Sequence, residues 1–222
     1  MALAAREMTL SPDRVLPSHV FLEACENYQK QSYRNRCYIL AGEGPQMLQV
    51  PVVHRAGVTL PDASLRDPVR ANASGRVTPA LCIQNILVDY STPWVVRTQR
   101  ALDTAYETAA YYEYYRDDLF ALLDAKPRTL WELNLSTVQF LLEKTGIACT
   151  LEPTTEFAVP GSVPDDYRYS IHPKHPDMVL EELGLARPYY QVFRDRMKGF
   201  TPGLSTLDLL FNEGPDSIGW LK

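Results

Sequence analysis

Residues 93–146 constrain the fold most, because their apolar positions recur with helical period and the breaks between them are chemically marked. Leu102, Ala105, Tyr106 and Ala109 fall on one helix face, and Pro93 suits that helix's first turn. Tyr112, Tyr115, Leu119, Leu122 and Leu123 repeat the pattern in a second helix, which Pro127 ends. A third opens on the T-x-x-E capping-box pattern of Thr129 and Glu132, runs through Leu135, Val138, Leu141 and Leu142, and stops at Gly146. Strands are thereby pushed to the flanks. Residues 19–24 form a short β-compatible run, and residues 37–40 and 46–53 are apolar segments joined by the turn formers Gly42, Gly44 and Pro45, so a hairpin is expected. Residues 82–88 and 147–151 read as two further strands, and residues 54–80, which lack periodicity, as a long surface loop.

The last third is punctuated by Pro153, Pro160, Pro164, Pro173 and Pro176, which leave only residues 177–183 with a helical pattern before Pro188. Residues 189–193 are apolar and aromatic. Residues 205–211 read as a helix with Asp208 at a capping-box position, and Gly214-Pro215 begins a final turn. No repeat or low-complexity tract is present. Strands first, then helices, then a mixed tail predict an α+β fold: one domain over the 222 residues, with short, mostly antiparallel strands, a central group of about three helices and a Pro-rich, loop-rich C-terminal third.

Lys+Arg 22 against Asp+Glu 27 gives a net charge of -5, which argues against generic nucleic-acid or anionic-membrane binding. No apolar run approaches the roughly 20 residues of a membrane span, and Arg6 and Glu7 interrupt the N-terminal apolar residues before a signal sequence can form. Cys25, Cys37, Cys82 and Cys149 match neither a redox pair nor a zinc knuckle, so the expectation is a reduced, cytoplasmic protein without membrane insertion. The residues assign no cofactor, no metal-ligand set and no oligomeric state.

The densest polar constellation is residues 26–36, ENYQKQSYRNR. Lys30, Arg34 and Arg36 are the groups that grip phosphate or carboxylate, and Tyr28, Gln31 and Asn35 can fix hydroxyls. The alternative is a solvated loop. Cys25 and Cys37 flank this block, where the cations would favour a thiolate, although buried, inert cysteines are the simpler reading. A second set, Asp89 to Trp94, leads from a strand into a helix, where substrate contact competes with ordinary capping by Ser91 or Thr92 and a core position for Trp94. The tyrosine run 111–115 could stack a sugar or base, but Tyr112 and Tyr115 fall on the apolar stripe, leaving Tyr111, Glu113 and Tyr114 as the more exposed candidates. A third set joins Asp165, Asp166 and Arg168 to His172, Lys174 and His175. Pro173 and Pro176 keep that stretch extended and the two imidazoles apart, which suits an acid/base role for one histidine better than a metal site. No G-x-S-x-G, P-loop or G-x-G-x-x-G motif occurs.

Taken together, FLEACENYQKQSYRNRCYI, VDYSTPW, AYYEYYRDDL, YRYSIHPKH, YYQVF and LSTLDLLFNEGPDSI resemble the WbqC-like protein family, in its Bacteroidetes-type branch, from about residue 20 to the end. The resemblance implies a role in O-antigen or other surface-polysaccharide biosynthesis, as a transferase that forms an amide between an amino acid such as glycine and an amino sugar. The alternative is a non-enzymatic binding or scaffold protein of such a pathway. The implied partner is a small molecule or nucleotide sugar, not nucleic acid. The signature positions are Tyr28, Lys30, Gln31, Arg34, Asn35, Asp89, Trp94, Arg100, Glu113, Tyr115, Arg168, His172, Lys174, Asn212 and Glu213. Among these, His172 or Glu113 is the expected base, Arg34 and the neighbouring Arg36 the expected anion ligands, and Asn35 and Asp89 the expected partners of sugar hydroxyls. Family members usually begin with a strand and a motif resembling YLPPIEYF, which residues 1–18 lack, so this lead is either divergent or truncated. Relatives often carry a histidine after the tryptophan, where this chain has Thr98 and Gln99.

Overall fold

The computed structural model describes residues 18–53, 81–163, 166–168 and 187–221. The expected loop 54–80 and helix 177–183 lie outside the described residues. Three helices form the centre: α1 (Trp94–Tyr106), α2 (Tyr112–Asp124) and α3 (Leu130–Thr145). The capping box of α3 forms as expected, with the Glu132 amide donating to Thr129 Oγ1 at 3.1 Å and the Thr129 amide donating to Glu132 Oε2 at 3.0 Å. Gly146 ends the helix at φ 71°, where a side chain would be strained.

Two strand pairs flank the helices. β1 (His19–Leu22) runs parallel to β4 (Thr150–Pro153), and β2 (Arg36–Ala41) forms an antiparallel hairpin with β3 (Gly44–Gln49). β4 starts three residues later than the sequence suggests, in the register that sets Thr150 beside His19. At the C-terminal end come α4 (Thr206–Glu213), a 3-10 turn (Gly214–Asp216) and the short α5 (Ser217–Trp220). This is the arrangement of a single α+β domain.

Residues 82–88 are not a strand. They form a 3-10 turn (Ile83–Asn85) and isolated bridges, because the segment shares its backbone bonds among three neighbours. The Ile83 amide donates to Glu26 O, Leu87 O accepts from the Val53 amide, and Ile86 O accepts from the Leu130 amide. A single edge partner would have extended the ladder; three partners at different angles break it.

One core joins Leu102, Tyr106, Tyr112, Leu119 and Phe140 to Ile39 of the hairpin and to Leu210 and Phe211 of α4. A second gathers Tyr28, Ile83, Val88, Trp94, Leu130 and Leu133 beneath the N-terminal polar segment. Burial of these side chains, at about 1.5–3 kcal/mol each, supplies the main driving force for the fold.

Candidate functional site

The polar segment 26–36 is not a solvated loop. Glu26, Tyr28, Gln29, Ser32, Arg34 and Asn35 are all buried, and most of their polar groups are matched inside the protein. Arg34 donates from Nε and Nη2 to the two carboxylate oxygens of Glu26, at 2.5 Å each. Ser32 Oγ donates to Gln29 O at 2.8 Å, and Asn134 Nδ2 reaches from α3 to Arg34 O at 2.8 Å. Polar groups tolerate such burial only when they are paired. Gln29 is the exception, with neither amide atom hydrogen-bonded.

Tyr28 and Asn35 of this scaffold, with Lys30, Gln31 and Arg36 between and beside them, also line a cleft of about 480 Å³, closed on its other side by Gln49, Pro51 and Val52. Among the described residues neither Lys30 nor Arg36 has a carboxylate partner, and no carboxylate is among the described lining residues. Gln31 sits at φ 56°, in the left-handed region, and its carbonyl accepts from Arg36 Nη2, while Arg36 Nε is buried without an acceptor. Asn35 donates from Nδ2 to Val50 O at 3.0 Å, which leaves Oδ1 as the atom it can offer a ligand. Burial pushes the Tyr28 phenol up to about 12, with Arg34 and Arg36 pulling the other way, so the hydroxyl stays protonated at neutral pH. Fixed cations, amides and a phenol in one concavity recognise anions and hydroxyl groups.

Asp89 adjoins this cleft, its amide donating to Pro51 O at 2.9 Å. Its Oδ1 accepts from the Ser91 amide at 2.8 Å, and that local bonding holds the carboxyl below its usual range. Trp94 lies in the core beneath, stacked on Tyr90 with ring centroids 5.7 Å apart.

The model of the WbqC-like protein family matches residues 63–169. Over that stretch the chain is similar to this family. No curated protein and no solved structure matches the chain. The WbqC-like match includes Asp89, Trp94, Arg100, Glu113 and Arg168, whereas the residues that line the cleft precede it.

The signature residues of the WbqC-like segment do not all converge. Arg100 is exposed on α1 and Glu113 is exposed in the first turn of α2; neither lines the cleft. Arg168 is buried, its Nη1 donating to Glu23 Oε2 at 2.9 Å and to Ala158 O at 2.8 Å and its Nε to Asp166 Oδ1 at 2.7 Å. Glu23 also accepts from Thr154 Oγ1 and the Ala158 amide, so this cluster ties the segment after β4 to the end of β1. Beyond the WbqC-like match, Glu213 accepts from the Tyr190 amide at 2.9 Å, and Asn212, buried on α4, donates to Asp208 O at 2.7 Å. His172, Lys174 and His175 lie outside the described residues. As expected, Tyr112 and Tyr115 are buried and Tyr114 is exposed.

One expectation about a charged residue is corrected. Asp208 does not cap α4; Ser205 does so alone, accepting from the Leu207 amide at 3.3 Å. The Asp208 carboxylate instead turns inward and accepts from Tyr106 at 2.7 Å, Tyr189 at 2.8 Å and Gln191 at 3.1 Å. Burial raises its pKa against the pull of these three bonds. In line with the simpler reading of the cysteines, the cations do not activate Cys25 or Cys37: burial pushes both thiols up.

Gln49, Pro51 and Val52 are parts of the site that the sequence does not signal. Only the hairpin register, which pairs Arg36 with Gln49, brings the end of β3 alongside the polar segment. Among the described residues no group of three or more His, Cys, Asp or Glu side chains could hold a metal ion, and no helix is long and apolar enough to cross a membrane.

Proposed function

We propose that the protein is a cytoplasmic transferase of O-antigen-type surface-polysaccharide biosynthesis, joining an amino acid such as glycine through an amide to an amino sugar. The WbqC-like segment is consistent with a role in glycan biosynthesis. The observation that carries the reading is the cleft whose described lining holds Lys30 and Arg36 without a carboxylate, beside Gln31, Asn35, Gln49 and the Tyr28 hydroxyl.

In the proposed reaction the amine of the sugar attacks the carbonyl carbon of an activated aminoacyl donor. A C–N bond forms, the bond from the carbonyl carbon to the leaving group breaks, and the proton lost from the amine passes through a base to the leaving group. His172 is the proposed base, with Glu113 the second candidate. Arg36 and Lys30 hold the anionic part of the substrate, and Tyr28, Gln31, Asn35 and Asp89 hold hydroxyls. Arg34 takes a supporting role in this scheme, because its guanidinium is committed to Glu26. Arg168 takes the same role, held by Glu23 and Asp166. Trp94 packs in the core beside Tyr28; Arg100, Asn212 and Glu213 are not among the lining residues, and Lys174 is a further proposed substrate ligand.

The test is to incubate the purified protein with nucleotide-linked amino sugars and activated glycine, and to look by mass spectrometry for the amide product. Product that disappears with His172→Ala and with Arg36→Gln supports the reading; no product from any pair sinks it. One observation favours a binding protein instead: among the described lining residues no carboxylate or imidazole is present, and the Tyr28 phenol stays protonated near neutrality. That reading predicts saturable sugar binding without a covalent product.

A further inference from the structure

We infer that the cleft seats a diphosphate group, the linkage that joins the sugar substrate to its carrier; this rests on the cleft being the sugar site proposed above. Charge balance is the first argument. Lys30 and Arg36 are two cations without a carboxylate partner among the described residues, in a protein whose net charge is -5. The carboxylate of an amino acid would neutralise only one of them. A diphosphate diester carries a negative charge on each phosphate at neutral pH and neutralises both.

The second argument is the unmet donor. Arg36 is held by Nη2 on the Gln31 carbonyl, and its Nε is buried with no acceptor. Leaving a buried charged donor unbonded is costly, and an anionic oxygen that enters beside the guanidinium and displaces the atoms covering Nε forms a charge-assisted hydrogen bond there. Gln31 takes up a left-handed backbone, φ 56°, in the arrangement that gives its carbonyl to Arg36. Hence the guanidinium is fixed before any ligand arrives, which lowers the entropic cost of binding.

The third argument is room and composition. A cleft of about 480 Å³ lies within the range of small-molecule sites, and it accommodates two phosphates with a sugar ring. Pro51 and Val52 provide an apolar patch for the ring, and the amides of Gln31, Asn35 and Gln49 provide partners for its hydroxyls.

The same chemistry occurs in nucleoside-diphosphate sugars and in sugars on a lipid diphosphate. Isothermal titration of the full chain with inorganic pyrophosphate, UDP, farnesyl diphosphate, glycine and acetate tests the seat and separates its sources. Saturable pyrophosphate binding that weakens as salt rises, and at least tenfold in Lys30→Gln and in Arg36→Gln, is the expected result. UDP binding more tightly than farnesyl diphosphate assigns the nucleotide carrier, and the reverse order the lipid carrier. Should Arg36→Gln fail to fold, as read by circular dichroism, Arg36→Lys replaces it, and weakening of several fold is expected because the ammonium cannot supply the Nε donor. Pyrophosphate failing to bind, binding no better than acetate or glycine, or binding equally well in the variants overturns the inference. Amide product in the transfer assay without pyrophosphate binding would then leave the transferase standing and remove the diphosphate, whereas binding without product would do the opposite.

Discussion

Arg34 grips Glu26 with two parallel hydrogen bonds, Nε to Oε1 and Nη2 to Oε2, while the two side chains keep only 5% and 6% of their exposure. The pair closes the segment 26–36 on itself, so the residues between its ends are presented to the cleft from a fixed frame. It lies beside a second buried pair, Glu23 with Arg168, and a small cavity lined by Glu23, Glu26, Arg34 and Asn134 separates the two.

Removing one member of the pair strands a charge in a nearly water-free site. Glu26→Gln or Arg34→Met should each lower unfolding free energy by about 3–5 kcal/mol, whereas Glu26→Met with Arg34→Met should cost clearly less than the sum of the two. Urea unfolding of all three variants is the measurement; single losses below about 1 kcal/mol would show that the pair does not hold the segment.

Gly214 stands at φ 56°, and a Cβ there would lie 2.5 Å from the Tyr111 ring. Gly214→Ala meets both backbone strain and a backbone-fixed clash, and should destabilise by about 2–4 kcal/mol. Tyr111→Ala in the same chain relieves the clash but not the φ penalty, so the double variant should recover only part of the loss in a thermal melt.

Asp208 makes stability depend on pH in an unusual direction. Its folded-state pKa is raised above the ordinary value of 3.8, so the folded state holds its proton more tightly than the unfolded state does. Its contribution to stability is full below 3.8 and is lost as pH rises through the raised folded pKa. The stability of the wild type relative to Asp208→Asn should therefore fall as pH increases across that window. Denaturant titrations of both proteins at a series of pH values check this, and a difference that grows with pH would contradict it.

Tyr28 combines a ring in the second core with a position on the cleft wall. Tyr28→Phe should change unfolding free energy by less than about 1 kcal/mol, since the ring remains. Sugar affinity should fall about fivefold to tenfold through loss of one hydrogen bond. Calorimetry with the substrate sugar and a parallel thermal melt separate the two effects; unchanged affinity would remove the hydroxyl from the site.

Local chemistry was enough to place the central helices. The Thr129 capping box and Gly146 act within a few residues of themselves, and each does in the fold what its type dictates, while Pro93 stands at the N-cap, just before the first turn where the sequence puts it. The hairpin turn behaved the same way. Residues 82–88 did not, because their apolar run is equally compatible with a ladder and with lacing between three neighbours, and only those neighbours decide. Asp208 was misread for a related reason: its spacing from Ser205 matches a capping box, but Tyr106, Tyr189 and Gln191 compete for the carboxylate from distant parts of the chain.

The sequence by itself determined the helical centre, the hairpin, and the concentration of cations and amides between residues 26 and 36 in an otherwise acidic chain. Tertiary structure alone decided how that polar segment is divided. Glu26 takes the guanidinium of Arg34, Asn134 holds the Arg34 carbonyl, and Lys30 and Arg36 are left to the cleft. The reason is physical: a cation's availability depends on which carboxylate the folded chain brings within hydrogen-bond reach. Arg34 and Arg36, two residues apart, are alike in the sequence and opposite in the fold.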